Sequence, residues 1–173
     1  MSVTSTLKLA APAASTLKPG AEGSASDILD TLKKEHDEVK ELLGSLQSAD
    51  SAAERRSLVK QIKAALIPHT KAEEKVVYDA IVALKDKEAQ THGREGYLEH
   101  ELAAKTLQRL EKIDNPTSPE HKAASKVLKE LVEHHIEEEE SSIWGDVKQN
   151  FDDAERRRMN AAFEAAKARV KIH

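Results

Sequence analysis

The stretch PHTKAEEKVVYDAI, residues 68–81, sets a histidine and a glutamate into the middle of an apolar helical stripe. At about 100° per residue, His69 and Glu73 fall among Leu58, Ile62, Leu66, Val76 and Ala80. A spacing of four residues puts both side chains on one helix face, one turn apart. A polar pair there should face solvent; this one faces the stripe. The stripe runs through a helix expected over residues 52–84, with a kink expected at Pro68 because proline removes a ladder donor and crowds the carbonyl of Ala64.

Three further helices read the same way. The first is expected from a Ser26 N-cap to about Gln47, with Ile28, Leu32, Val39, Leu43 and Leu46 along one side. Residues 85–93, ending in His92 and Gly93, read as a connection. The third helix follows over about 94–113, with Tyr97, Ala103, Ala104, Leu107 and Leu110. Asp114 to Thr117 is a turn. The fourth starts at Ser118 with Pro119 in its first position and runs to about Lys148 on Ala124, Leu128, Leu131, Val132 and Ile143. Asp152 or Asp153 caps a short last helix carrying Met159, Phe163, Ala166 and Val170.

These elements predict an all-α protein: an up-down-up-down antiparallel four-helix bundle over residues 26–148, with an extra short C-terminal helix in 149–173 packed on or extending from it. Residues 1–25 are rich in Ser, Thr, Ala, Pro and Gly and read as a flexible N-terminal tail. Charged residues make up 34% of the chain and aromatics 3%, which suits long solvated helices. The net charge of -4 is spread along the chain and predicts no nucleic-acid partner. No stretch is long and apolar enough for a membrane span, and residues 7–14 are too short and broken for a secretory leader. The expected location is cytoplasmic. There is no cysteine, so disulfides, thiolate ligands and cysteine nucleophiles are excluded.

Any metal must therefore rest on histidine and carboxylate, and the four stripes supply them. His36 lies near the edge of the first stripe, between Leu32 and Val39. His100 lies among Ala103, Ala104 and Leu107. His135 and Glu139 repeat the His-x-x-x-Glu pattern among Leu128, Leu131, Val132 and Ile143. A single such pair on a helix is usually a surface ion pair. Six residues agreeing on four independent stripes are another matter, because buried carboxylates cost several kcal/mol unless compensated. Imidazole and carboxylate without sulfur suit iron, manganese or zinc. Six ligands exceed what one zinc with an open position takes and fit two bridged ions.

The other histidines carry the bland reading: His92 at a helix start, His121 in a first turn, His173 at the terminus. His134 with Glu138 is a rival register to His135 with Glu139, ranked second. Arg156, Arg157 and Arg158 read as surface charge, and Tyr97 and Trp144 as packing residues.

At these residues the sequence resembles the hemerythrin-like, or HHE cation-binding, family. The segments are LKKEHDEVKELL (32–43), PHTKAEEKVVYDAI (68–81), EGYLEHELAAKTLQRL (95–110) and LVEHHIEEEESSIW (131–144). The resemblance implies two iron ions in an oxo- or hydroxo-bridged di-iron centre. Glu73 and Glu139 would bridge them, with His36, His69, His100 and His135 as terminal ligands. It implies a small ligand, dioxygen, peroxide or nitric oxide, bound for sensing, storage or detoxification.

Two departures from the family's oxygen carriers stand out. Their third helix carries His-x-x-x-His, and the position four before His100 is Gly96. Tyr97 or water could fill in. Their fourth-helix carboxylate is usually an Asp one residue further on, where this chain has Glu140. A metal-centred peroxide- or nitric-oxide-decomposing enzyme is therefore an alternative, and a non-metal helical interaction module is a second. A ferritin-like centre is disfavoured, since no histidine here has Glu three residues before it. The protein partner, if there is one, is not specified.

Overall fold

The computed structural model describes residues 26–172, so the expected tail at 1–25 and His173 lie outside the described residues. Among the described residues the chain is all-helical, without a strand. Helix α1 spans Ile28–Ser48, capped by Asp27 rather than Ser26, because the extended Asp27 turns its carboxylate onto the Leu29 amide. Helix α2 spans Ala52–Glu73, starting at the Ser51 side chain. Pro68 sits inside α2 without ending it. One π turn, Glu74–Tyr78, then leads into α3, Asp79–Val82.

Helix α4 covers Lys87–Glu111 and so begins well before the expected Arg94. Asp86 caps it through the Glu88 and Ala89 amides. His92 and Gly93 therefore lie inside the helix. Gly93 is not a breaker but a point of close approach: a Cβ there would meet Val82 Cγ2 at 3.0 Å. Helix α5, Pro119–Glu138, is capped by Ser118 and starts at proline as expected. A second π turn, Glu139–Ile143, joins it to α6, Trp144–Asn150. A capping box of Asp152 and Glu155 starts α7, Asp153–Lys167.

Helix α1 packs on α2 and α5, and α4 packs on α2 and α5, so the four long helices form a closed circuit. Their interior holds two separate apolar clusters. One gathers Val39, Leu43, Leu46, Leu58, Ile62, Leu66, Leu107, Leu110, Leu128 and Val132. The other gathers Ile28, Leu32, Val77, Tyr78, Ile81, Ile143, Trp144, Val147 and Phe163. A buried Leu or Ile contributes about 1.5–3 kcal/mol, so both clusters matter to stability. The first π turn rotates the chain, and the inward residues after it are Val77, Tyr78 and Ile81. Val76, Ala80 and Leu84, which an uninterrupted α-helix would bury, are only partly covered.

Helix α7 packs on α1 and α2, with Phe163 fully buried. It is tied to the start of α1 by Arg156 Nε, which donates to Asp27 Oδ2 at 2.7 Å. Arg156 is thus a structural residue rather than surface charge. At the far end, Arg55 is 1% exposed, and its hydrogen bonds among the described residues go to no carboxylate. It donates to the carbonyls of Leu46 (2.7 Å) and Ala49 (3.1 Å) at the end of α1, to Ser125 Oγ (3.0 Å) and to His121 Nδ1 (3.2 Å).

Candidate metal centre

Between the two apolar clusters lies a polar layer. His36, His69, Glu73, His100, His135 and Glu139 are all under 10% exposed, and Glu73 and Glu139 are fully buried. His134 and Glu138 point to solvent, so α5 and the π turn after it bring His135 and Glu139 inward.

The nitrogen and oxygen atoms form two groups sharing two carboxylates. In one, Glu73 Oε2 lies 3.3 Å from His69 Nε2, and Glu139 Oε2 lies 3.3 Å from His36 Nε2. In the other, Glu73 Oε2 is 3.5 Å from His100 Nε2, and Glu139 Oε2 is 3.7 Å from His135 Nε2. His36, His69 and Glu73 bring one ligand atom each within 4.8 Å of one another, as do Glu73, His100 and His135.

The outer edges of the four rings face carboxylates that the sequence reading missed, and three of them are hydrogen-bonded. His36 Nδ1 is 3.1 Å from Glu140, His69 Nδ1 is 3.0 Å from Glu35, and His135 Nδ1 is 2.7 Å from Glu99. His100 Nδ1 is 3.4 Å from Glu74, an ionic contact without a hydrogen bond among the described residues. The links run in a ring: α1 serves α2, the turn after α2 serves α4, α4 serves α5, and the turn after α5 serves α1. The available signal was adjacency, since each of these glutamates neighbours an inward residue in sequence: Glu35 and His36, Glu73 and Glu74, Glu99 and His100, Glu139 and Glu140. Glu140, at the place of the family's Asp, serves the outer nitrogen of His36.

These links decide which ring nitrogen is free. A carboxylate accepts, so Nδ1 carries the proton and Nε2 presents its lone pair inward. His100 Nε2 and His135 Nε2 then face each other 3.0 Å apart. Two lone pairs at that distance repel unless a cation or a proton lies between them. His36 Nε2, Glu73 Oε1 and Glu139 Oε2 are buried without a hydrogen-bond partner among the described residues. Orphaned inward acceptors are what a cation would satisfy, so the donor set fits a metal.

The charges agree. Burial works to raise the pKa of Glu73, but His69 outweighs it and holds the carboxylate down to about 2. Burial works to lower His69, and Glu73 and Glu35 raise it instead to about 10. His100 goes the other way: burial lowers it to about 4, with Glu74 opposing and His135 adding to the fall.

Tyr97 does not fill in for the absent third-helix histidine. Its hydroxyl donates to the Glu74 carbonyl (2.9 Å) and to Asp79 Oδ1 (2.7 Å), away from the polar layer. Trp144 stacks on His36 with ring centroids 5.9 Å apart. Phe163 of α7 meets His69 edge-on at 5.9 Å. A cavity of about 210 Å³ reaches the four imidazoles between Val39, Ala65, Leu66, Val132 and Ile136, with Glu35 and Lys167 in ionic contact at its rim.

The fold and this layer define a helical metal-binding domain built on histidine and carboxylate. Residues 27–145 match the hemerythrin HHE cation binding domain, and the chain belongs to that family. A DNA nickase of Nostoc sp. (strain PCC 7120) is similar, 26% identical over 156 residues. That match covers 90% of this chain and 43% of the relative, so the chain spans under half of that protein's length. No solved structure matches. No helix among the described residues is long and apolar enough to cross a membrane.

Proposed function

We propose that the chain is a two-metal hemerythrin-like protein, with iron as the ion, that binds a small ligand such as dioxygen, peroxide or nitric oxide. The observation carrying this reading is that Glu73 and Glu139 each stand between two imidazole groups. His36 and His69 would hold one ion and His100 and His135 the other, with both carboxylates shared. Bound iron would supply reversible electron transfer to the small ligand. The chain's own part is to fix the tautomers of His36, His69 and His135 through outer carboxylates, to admit the ligand through the apolar cavity and to exclude bulk water.

We read the architecture as an up-down-up-down bundle over 26–148 with an appended helix in 149–173. Support comes from the order in which the helices visit the two apolar clusters. Helices α1 and α4 pass from the Ile28 cluster through the polar layer to the Leu43 cluster, and α2 and α5, with the π turns that follow them, pass the other way. A cytoplasmic location is part of the same reading.

Metal-centred decomposition of peroxide or nitric oxide would use the same residues. Action on nucleic acid has the Nostoc relative's name behind it. Against it stands the burial of all six proposed ligands, which keeps a phosphodiester away. Metal content with a visible spectrum, in air and after anaerobic reduction, tests the proposal. Two irons per chain with bands that bleach on reduction are expected. No iron, or one zinc per chain without such bands, overturns it.

A further inference from the structure

Gly96 has no side chain, and the space where one would begin is filled from another helix. A Cβ built at Gly96 meets Tyr78 Cε2 and Cζ at 2.7 Å and the Tyr78 hydroxyl at 3.0 Å. The ring thus takes the place that a third-helix histidine would need. Tyr78 is fully buried, and all four hydrogen-bond contacts of its hydroxyl are with proposed ligands. These are His100 Nε2 at 3.3 Å, His135 Nε2 at 3.4 Å, Glu73 Oε2 at 3.5 Å and Glu139 Oε1 at 3.5 Å.

Resting on the two-metal reading above, we propose that Tyr78 is a seventh protein ligand, its oxygen joining Glu73, His100 and His135 on one of the two ions. Neighbouring ligand atoms of an octahedral ion with bonds of about 2.1 Å lie about 3.0 Å apart. The Tyr78 oxygen stands 3.3–3.5 Å from its four neighbours, a few tenths of an ångström beyond that spacing. A ring placed for packing alone would be served by phenylalanine, and would not bring a hydroxyl to the layer of proposed ligands.

The backbone gives a second, independent reason. Tyr78 follows Glu73 by five residues, which in an α-helix turns a side chain about 140° away from the ligand face. The π turn Glu74–Tyr78, whose hydrogen bonds span five residues, winds less per residue and brings Tyr78 back toward the face of Glu73. The local distortion thus has a purpose, and it occurs directly after a proposed bridging residue. Binding would break the phenol O–H bond, form an oxygen–metal bond and release the proton to solvent. The ion beside His36 and His69 has no phenol near it, only the Trp144 and Phe163 rings. That ion is then the one left to take the exogenous ligand.

The test is to load the full chain with ferric iron and record iron content, visible absorption and resonance Raman scattering for wild type, Tyr78→Phe and Tyr97→Phe. The expected result is a phenolate-to-iron charge-transfer band with phenolate ring modes in wild type and Tyr97→Phe, lost in Tyr78→Phe. The chain has two tyrosines, so a signature that persists in Tyr97→Phe belongs to Tyr78 even if Tyr78→Phe does not fold. Wild-type protein holding two irons without phenolate modes overturns the Tyr78 ligand and leaves the two-metal reading standing. A band that survives in Tyr78→Phe overturns it equally. Wild-type protein that takes up no iron overturns both.

Discussion

Glu99 on α4 stands 2.7 Å from His135 Nδ1 on α5, the tightest of the four links that orient the inward imidazoles. Such outer partners fix the ring and raise ligand basicity, and their loss typically costs about 10–100-fold in metal affinity. Glu99→Gln should therefore weaken iron binding by about that factor while leaving the helical circular dichroism unchanged. Competition against a chelator reads the affinity. An unchanged affinity would mean that the link does not serve the site.

Metal should stabilise the fold. A ligand that binds only the native state at a hundred times its dissociation constant adds about 2.7 kcal/mol. For a chain of this size that corresponds to a rise of about 5–10 °C in Tm. Wild-type protein should show this rise over chelated protein, and His69→Ala combined with His100→Ala should not. Identical melting curves with and without chelator would count against the site.

Acid should weaken the far end of the bundle through His121. Burial first, and then the guanidinium of Arg55, lowers its pKa. A lowered folded-state pKa means that the stabilisation is complete above the ordinary value of about 6.5 and is lost as pH falls through the folded value. Chelated wild type and His121→Gln should thus converge in stability as pH drops from 7 to 5. A gap that is constant with pH would show that His121 does not titrate on unfolding.

Arg55→Ala should cost about 2–4 kcal/mol, because it leaves buried carbonyls of Leu46 and Ala49 without donors and opens a cavity. Urea denaturation measures it. A loss under about 1 kcal/mol would mean that water replaces the guanidinium without penalty.

Two glycines in helices should respond in opposite directions. A Cβ at Gly44 meets nothing within 4 Å, and Gly44→Ala should stabilise by about 1 kcal/mol. Gly96→Ala presses a methyl into the Tyr78 ring and should cost about 1–3 kcal/mol. Thermal melts of the two variants side by side check the contrast.

Much of this was legible because helical periodicity fixes which residues share a face. His36, His69, His100 and His135 stood on apolar stripes, and the structure brings all four together with Glu73 and Glu139. What was not legible came from departures from that periodicity. The π turn after Glu73 moved Tyr78 onto the ligand face and Val76 off it. A breaker reading of Gly93 hid the first turns of α4, although Asp86 is a good cap. The outer carboxylates were hidden for another reason: on a single helix Glu35 or Glu99 looks like a solvated neighbour, and its histidine lies on a different helix.

The ring of links between imidazole and carboxylate has a consequence for how the protein is made. Glu35 reaches forward to His69 and Glu99 to His135, but Glu140 reaches back across 104 positions to His36. A chain emerging from the ribosome can complete the early links yet leaves His36 without its orienting partner until α5 and the turn after it have been made. Iron offered to a half-synthesised chain thus meets an unfinished set of donors. Uptake should wait for the full domain, which keeps a redox-active ion out of partly folded intermediates.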